Sequence, residues 1–182
     1  MTEPQPTVVS VHVNPAHSFS KPAVTSIQLH EGLGVVGDAH YGVTVRHRSR
    51  AAVGPSDPNL RQVHLLQAEL FADLAEAGYE VGPGDLGENI TTQGLALLDL
   101  PVGTRLTIGQ AVITVMGLRN PCHQIDDFRD GLSQRLKHTT ATGQVVRLAG
   151  VMGIVSRSGA VQPGQAIALE MPPEPYYPLA VV

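Results

Sequence analysis

One short segment carries most of the chemistry that the sequence suggests. Arg119, Asn120, Pro121, Cys122 and His123 follow directly on an apolar run, and Cys122 is the only cysteine of the chain. A cation and a histidine close to a thiol favour its thiolate form, which binds soft metals and attacks electrophiles. The alternative is that Cys122 is a small buried hydrophobic residue, as most lone cysteines are. The residues themselves leave both interpretations open.

Two glycine-rich stretches and one polar loop hold further candidates. Residues 31–42 include Asp38 and His40, which either point into a common site or belong to a tight turn bonded to its own backbone. Residues 82–94 include Asn89, whose side chain could reach a cleft while backbone amides bind an anion. Lys21, in the loop 14–22, is either a solvated surface charge or a cation presented to a phosphate.

Two features are ambiguous from the sequence. His64 lies on an apolar segment, where a histidine is more often part of the core than a ligand. Residues 46–50 hold three arginines and a histidine, which indicates an anion-binding loop or a solvated run of charges. A nucleic-acid partner is not expected, because the interleaved aromatic residues and the basic surround of such a patch are missing.

Composition limits the class of protein. With 182 residues and 42% hydrophobic content, we expect one domain over residues 1–182, with 1–6 and 171–182 as extended termini. A net charge of -4 gives no general attraction to nucleic acid. A single cysteine excludes an internal disulfide, a Cys₄ zinc site and an iron–sulfur cluster held by the chain's own thiolates. Without a signal peptide or a membrane-length apolar run, we expect a soluble, cytoplasmic protein with no membrane partner.

Strand patterns dominate the chain. They predict strands at residues 7–13, 23–29, 43–45, 104–108, 111–118, 144–155 and 159–170, the last one broken at Pro163 and Gly164. The pair 104–108 and 111–118 reads as a hairpin that positions the Cys122 segment. Residues 62–66 read as either a buried strand or the start of a helix, and helical spacing is clear over 67–77 and 125–136, the latter weakened by Gly131.

Short strands with glycine at the bends predict the fold class. We expect a mostly β protein that forms a closed or nearly closed barrel with a few short helices. The tail from Met171 onward contains four prolines and should lie extended on the surface or across a partner.

Taken in order, several fragments resemble the stand-alone MOSC domain, the family named from the C-terminal domain of molybdenum cofactor sulfurase. The resemblance spans roughly residues 8–169, and its specific part is Gly-Glu-Asn at 87–89 followed some thirty residues later by Arg119-Asn-Pro-Cys122. The supporting fragments are residues 34–38, 61–64, 90–91, 94, 103, 108–109 and 150–153. The family implies a barrel-like β fold, a molybdopterin-type molybdenum cofactor, and a cysteine that ligates molybdenum or carries a persulfide. On this sequence that cysteine is Cys122.

The resemblance also assigns expected roles to the other candidates. Such a cofactor is a phosphorylated pterin dithiolene, so its site needs a soft thiolate, cations for the phosphate and hydrogen bonds for the pterin edge. Cys122 would meet the first need, Arg119 with Lys21 the second, and Asn120 with Asn89 the third. His40 and His64 would line the pocket or donate protons, and whether His123 reaches it stays open.

Two mechanisms follow from the resemblance. In the first, Cys122 ligates molybdenum and an N-hydroxylated substrate is reduced with electrons from a separate reductase, since the chain shows no flavin motif. In the second, Cys122 holds a persulfide for transfer to a cofactor or metal cluster, supplied by a separate cysteine desulfurase that carries pyridoxal phosphate. A simple binding module with an unreactive thiol is the third possibility. The first is favoured because no sulfurase domain is fused to the chain.

Overall fold

The structure is a computed structural model and describes residues 5–44, 52–54 and 56–182. In these ranges the strands are β1 (Thr7–His12), β2 (Ala23–Val24), β3 (Ile27–His30), β4 (Gly34–Val35), β5 (Val63–Gln67), β6 (Ile90–Gln93), β7 (Arg105–Ile108), β8 (Ala111–Leu118), β9 (Lys137–Thr139), β10 (Val145–Arg147), β11 (Val151–Arg157), β12 (Gly159–Val161) and β13 (Ile167–Glu170). The helices are α1 (Glu69–Glu76), α2 (Gln124–Phe128) and α3 (Leu132–Leu136), with a 3-10 turn at Leu97–Asp99. The basic segment 46–50 lies outside the described residues, as do Val45 of the strand predicted at 43–45 and the first four residues.

The strands form three sheets. The largest has eight strands in the order β13-β7-β8-β11-β5-β6-β1-β2, and the other two have the orders β12-β3-β4 and β10-β9. Neighbouring strands run antiparallel except for β5 and β6, which are parallel. The connection between these two strands is long enough to include α1, as a parallel pair requires.

The mostly β composition is confirmed, but the barrel is not formed. No sheet among the described residues closes on itself, and the eight-stranded sheet keeps β13 and β2 as its two edges. The start of β1, next to the edge strand β2, approaches the segment before β13 around the isolated bridge between Thr7 and Ala166. Hydrogen bonds from Ile167 N to Pro6 O, from Val8 N to Gln165 O and from Gly164 N to Val8 O accompany this bridge. A ladder cannot extend beyond this point because Pro163 has no N–H and Gly164 turns the chain with φ +85°.

The hairpin that precedes the cysteine is confirmed, since β7 and β8 pair antiparallel from Arg105 with Thr114 to Ile108 with Ala111. The single long strand predicted at 144–155 is wrong. It divides into β10 and β11 at Gly150, whose φ of +87° no strand residue adopts. The helix predicted at 125–136 likewise divides into α2 and α3 at Gly131, with φ +74°.

Two apolar cores hold these elements together. The larger lies under the eight-stranded and three-stranded sheets and includes Leu29, Leu65 and Ile113, all fully buried. The smaller packs α1, α2 and α3 against the opposite side of β5, around Leu66 and Leu132. The segment that carries Cys122 leaves β8 above the first core and enters α2 on the second, so both of its ends are fixed.

The tail packs on the chain itself. Leu118 N donates to Ala180 O at 2.8 Å, and Leu118 forms a parallel bridge with Val181. The tail can approach this closely because Gly117 lacks a side chain: a Cβ atom there would lie 2.4 Å from Ala180 O. The last residues of the tail therefore lie along the end of β8.

In the described part of the chain, no helix is both long and apolar enough to cross a membrane.

Candidate functional site

A cavity of about 480 Å³ lies where β1 and β8 end and β6 begins. It is lined by residues from seven separate parts of the chain. All seven side chains proposed from the sequence line it, namely Lys21, His40, His64, Asn89, Arg119, Asn120 and Cys122. His123, whose position the sequence left open, lines it too. The tertiary structure thus brings the whole proposed set around one space.

Cys122 lies half-buried at the wall of this cavity. The residue before it, Pro121, is buried and follows the end of β8. Cys122 O accepts a hydrogen bond from Ile125 N at 3.1 Å, at the start of α2. The thiol lies 3.7 Å from Gln124 Oε1. The sulfur is therefore held between two fixed elements and is not sealed among aliphatic side chains.

Arg119 is the nearest fixed cation to this thiol in sequence, and its guanidinium is tied down. Its Nη1 donates to Leu86 O at 2.7 Å, and the group lies 5.7 Å from the centre of the Phe19 ring. Burial lowers the pKa of Arg119, while negative charge on Cys122 and on Glu88 opposes that shift. Because an arginine stays protonated in proteins, Arg119 is a permanent positive charge beside Cys122.

Lys21 forms a buried ion pair. Its Nζ lies 2.7 Å from Asp38 Oδ2, with 4% and 1% of the two side chains exposed. Burial lowers the pKa of Lys21 despite the opposing charge of Asp38. Burial alone would raise the pKa of Asp38, but the hydrogen bond from His40 and the charge of Lys21 hold it well below its usual range. Lys21 is thus not the solvated surface charge that its loop position allowed.

Asp38 is the centre of a small hydrogen-bond network. Its Oδ1 accepts from the backbone N of His40 at 3.0 Å and lies 3.1 Å from His40 Nδ1. Its Oδ2 accepts from Asn89 Nδ2 at 3.0 Å in addition to the bond from Lys21. A carboxylate can only accept, so the proton between Asp38 and His40 belongs to Nδ1. The aspartate therefore orients both the lysine and the histidine.

Asn89 connects this network to the sheet. Its Nδ2 also donates to His12 O at 3.2 Å, and its Oδ1 accepts from His64 N at 3.1 Å. Both amide protons are thereby used within the protein, so only the second lone pair of Oδ1 is left for a ligand. The geometry therefore favours a role for Asn89 in orienting Asp38 over the expected contact with a pterin edge.

His64 and Asn120 differ in their exposure to solvent. His64 is buried, and its Nε2 donates to Ala149 O at 2.7 Å. Burial and the charge of Arg119 lower the pKa of His64 well below its usual value, so the ring is neutral. Asn120 is exposed at the rim, where its Oδ1 accepts from Arg147 Nε at 3.2 Å.

The cavity carries positive charge at its surface. Its cationic lining residues are Lys21, Arg61 and Arg119, and no Asp or Glu lines it among the residues that the structure describes. The nearby carboxylates are turned inward: Glu88 is fully buried and accepts from Gly84 N at 2.6 Å. The arrangement suits an anionic ligand.

Two glycines allow the polar loop 14–22 to pack closely against the turn that precedes β6. Gly84 and Gly87 have φ of +87° and +83°. A Cβ on Gly84 would lie 2.3 Å from Lys21 O, and one on Gly87 would lie 2.4 Å from Phe19 O. This close backbone contact, with Lys21 N bonded to Gly84 O at 2.9 Å, fixes the loop that carries Lys21.

Sequence reasoning did not assign a site role to several lining residues. These are His17, Ser18, Phe19, Arg61, Gln124, Met152 and Val181. Arg61 could have been found, because it belongs to one of the fragments that resemble the MOSC domain. Val181 could not, because nothing in a proline-rich tail indicates which strand it will lie beside.

Protein side chains alone do not form a metal site in the described residues, since no three His, Cys, Asp or Glu side chains are grouped to hold an ion. A metal at Cys122 would need its remaining ligands from a bound cofactor.

Comparison with known proteins places this site in a recognisable context. The family model described as MOSC domain matches residues 37–168. Among solved structures, the chain is similar to the YuaD protein from Bacillus subtilis, with 22% identity, 90% of this chain and 95% of that one covered, and a TM-score of 0.73. It is also similar to YiiM from Escherichia coli, with 22% identity, coverage of 95% and 73%, and a TM-score of 0.64. YiiM from Geobacillus stearothermophilus is similar as well, with 19% identity, 91% of this chain and 75% of that one covered, and a TM-score of 0.64. These structural likenesses concern the fold alone, and a search of curated proteins found no match.

Proposed function

The chain belongs to the MOSC domain family, which is linked to molybdenum cofactor binding, and from this premise we propose that its cavity holds a molybdopterin-type molybdenum cofactor with Cys122 as a ligand of the metal. The observation that carries the proposal is that a half-buried thiol shares one cavity with three cations. We propose further that the loaded protein is an oxidoreductase that reduces N-hydroxylated compounds.

The residues present fit such a cofactor. A volume of about 480 Å³ lies within the ordinary range for ligand pockets. Cys122 offers the soft ligand that molybdenum prefers, while Arg119, Arg61 and the remaining Nζ protons of Lys21 can bind the phosphate. Asn120 at the rim and the second lone pair of Asn89 Oδ1 are available to the pterin edge.

When bound, a molybdenum centre supplies two-electron oxygen-atom transfer, by which R–NHOH, two electrons and two protons become R–NH₂ and water. The protein's own part is to position the substrate, exclude bulk water and deliver protons. We assign proton delivery to His40. Its Nδ1–H is held by Asp38 at 3.1 Å, so Nε2 is the atom that exchanges a proton with a substrate in the cavity.

His64 has a different part in this proposal. Because it is neutral and donates from Nε2 to Ala149 O, its tautomer is fixed and it adds no charge to the cavity wall. The positive charge of the site therefore comes from its arginine and lysine side chains and not from His64. His64 thus lines the cofactor site without taking part in proton transfer.

The proposed reaction also needs a source of electrons. The chain has one cysteine and no flavin-binding motif, so it can hold neither an iron–sulfur cluster with its own thiolates nor, on sequence grounds, a flavin. We therefore propose a separate reductase as partner.

Metal and pterin analysis tests this proposal. Protein produced in a molybdopterin-competent host should contain about one molybdenum and one pterin per chain, and Cys122→Ala should lose the metal. The matched control is Ser156→Ala, a small substitution on β11 whose hydroxyl bonds Thr114 and does not line the cavity. Wild-type protein free of molybdenum and pterin from such a host would refute the proposal.

A sulfur carrier is the second candidate function, and one observation favours it. Cys122 also lines a second cavity at the surface, so the residue has a side that a ligand in the larger cavity need not cover. In this function Cys122 would accept sulfur from a separate pyridoxal-phosphate-dependent cysteine desulfurase and hold it as a persulfide. Incubation with such an enzyme and cysteine should then raise the intact mass by roughly 32 Da in wild type and not in Cys122→Ala.

A further inference from the structure

A second cavity of about 220 Å³ lies on the outer side of the Cys122 segment. It is lined by Pro121, Cys122, His123, Ser133, Gln134 and Lys137, and it shares only Cys122 and His123 with the larger cavity. We refer to it as the outer cleft. The wall facing the cysteine comes from α3 and from the first residue of β9. Cys122 therefore has a second set of neighbours, on α3 and β9, and these residues do not line the larger cavity.

The small sheet beside the outer cleft places two cations directly opposite each other. Lys137 of β9 pairs in register with Arg147 of β10. Like charges opposite one another on antiparallel strands repel and destabilise the pair. Neither residue takes part in any ion pair formed within the described part of the chain. An anion bound between or beside the two side chains would relieve this repulsion.

Both cations are directed at the segment that carries the thiol. Arg147 Nε donates to Asn120 Oδ1 at 3.2 Å, two residues before Cys122, and Lys137 lines the outer cleft with Cys122 itself. Among the described residues no Asp or Glu lines the outer cleft, and Asp126 of α2 bonds Ser133 N at 2.9 Å and Ser133 Oγ at 2.5 Å. Lys137, which lines the outer cleft and takes part in no ion pair among the described residues, is therefore available to an anionic ligand.

We propose that the outer cleft is a binding site for a small molecule that carries a carboxylate or phosphate group, held by Lys137 on the cleft wall with Arg147 as the neighbouring positive charge, and with its other end beside Cys122. A volume of about 220 Å³ admits a molecule of a few non-hydrogen atoms and excludes a second pterin-sized ligand. The inference rests on the second candidate function only, in which the sulfur of Cys122 is the reactive atom and not a ligand of the metal. The ligand site itself requires no metal.

Charge-dependent alkylation of Cys122 tests this site. Because Cys122 is the only cysteine of these 182 residues, thiol modification of this chain reports on it alone. Protein made in a host without molybdopterin is treated with iodoacetate, which carries a carboxylate, or with neutral iodoacetamide. The two rate constants are followed by intact mass. Their ratio cancels the intrinsic reactivity of the thiolate and measures the attraction of the site for an anionic reagent.

Lys137→Gln should lower the iodoacetate-to-iodoacetamide ratio by about threefold to tenfold, and high salt should lower the wild-type ratio towards that of the variant. Arg135→Gln is the matched control, because Arg135 is exposed on α3 and does not line the outer cleft, and its ratio should equal that of wild type. Lys137→Arg keeps the charge and should retain most of the wild-type ratio.

Two results would overturn the proposal. An unchanged ratio in Lys137→Gln would mean that anions reach Cys122 only from the larger cavity. An equal decrease in Arg135→Gln would mean that the general field of the surface, and not a site, attracts them. Neither result depends on molybdenum, so the outcome is separate from the metal analysis that tests the proposed function.

Discussion

Lys21 and Asp38 form an ion pair of 2.7 Å that is almost completely removed from solvent, at the back of the cavity that contains Cys122. Water cannot stabilise either charge there, so each depends on the other and on the hydrogen bonds from Asn89 and His40. The pair links a loop residue after β1 to a turn residue after β4. It therefore fixes the geometry of the site as well as its charge.

Removing one member of this pair should be costly. Asp38→Asn leaves Lys21 charged and buried without its partner, and we expect a loss of about 3 kcal/mol in the free energy of unfolding. Urea denaturation followed by circular dichroism measures it. Glu170→Gln is the control, since the Arg105–Glu170 pair is exposed and its removal should change the stability little. A similar loss in both variants would contradict the role assigned to the buried pair.

Stability should fall with decreasing pH in two steps. The folded state lowers the pKa of His64, so its neutral form stabilises the fold fully above pH 6.5 and this contribution is lost as the pH decreases. Asp38, whose pKa is also lowered, adds a second loss that begins below pH 3.8. His64→Gln should reduce the slope of stability against pH between 6.5 and about 5 by up to about 1.4 kcal/mol per pH unit.

The same titration in Asp38→Asn separates the two steps. This variant should keep the slope near neutral pH and lose part of the slope in the acid range. Chemical denaturation at a series of pH values measures both slopes. If His64→Gln and wild type have the same slope above pH 5, the neutral buried state assigned to His64 is wrong.

Arg119 should matter for cofactor retention. Its guanidinium is held between Leu86 O and the Phe19 ring beside the thiol, so Arg119→Ala removes a charge-assisted contact to a bound anion. We expect cofactor affinity to fall by about tenfold to a hundredfold, measured as molybdenum and pterin retained after dialysis. Arg105→Ala, at an exposed strand position, should retain the wild-type content.

His40 should affect proton delivery and leave the binding of the cofactor largely intact. For reduction of an N-hydroxylated compound, His40→Asn should lower kcat about a hundredfold while the molybdenum content stays near that of wild type. Loss of metal in proportion to the loss of activity would show that His40 holds the site together and does not deliver protons.

The tail should depend on Gly117. A Cβ atom at this position would lie 2.4 Å from Ala180 O and 2.5 Å from Val182 Cγ1, so Gly117→Ala should displace the segment 180–182 from β8. Hydrogen exchange should then accelerate at the amides of Leu118 and Val182, which bond across this contact. Gly159→Ala is the control, because its Cβ would instead lie 2.5 Å from Ala111 N. Equal protection of both amides in Gly117→Ala and wild type would refute the contact.

The sequence by itself determined the local features of this protein. The residues 119–123 are contiguous, so the association of a cation with the thiol did not depend on the fold. The β7–β8 hairpin was predicted from two strand-like runs around a two-residue turn. The interruption of the helix at Gly131 and of the strand at Pro163 followed from the backbone preferences of single residues. Each of these depends on interactions within a few residues, which a sequence displays directly. The resemblance to the MOSC domain added the expected set of site residues.

Only the tertiary structure decided how distant segments meet. It paired Lys21 with Asp38, placed Val181 on the cavity wall, left the large sheet open, and opened a second cleft at Cys122 beside the Lys137–Arg147 pair. The reason is physical: whether a side chain is charged, buried or within reach of a ligand depends on which strands become neighbours. Strand order results from packing over the whole core, and no local pattern contains it.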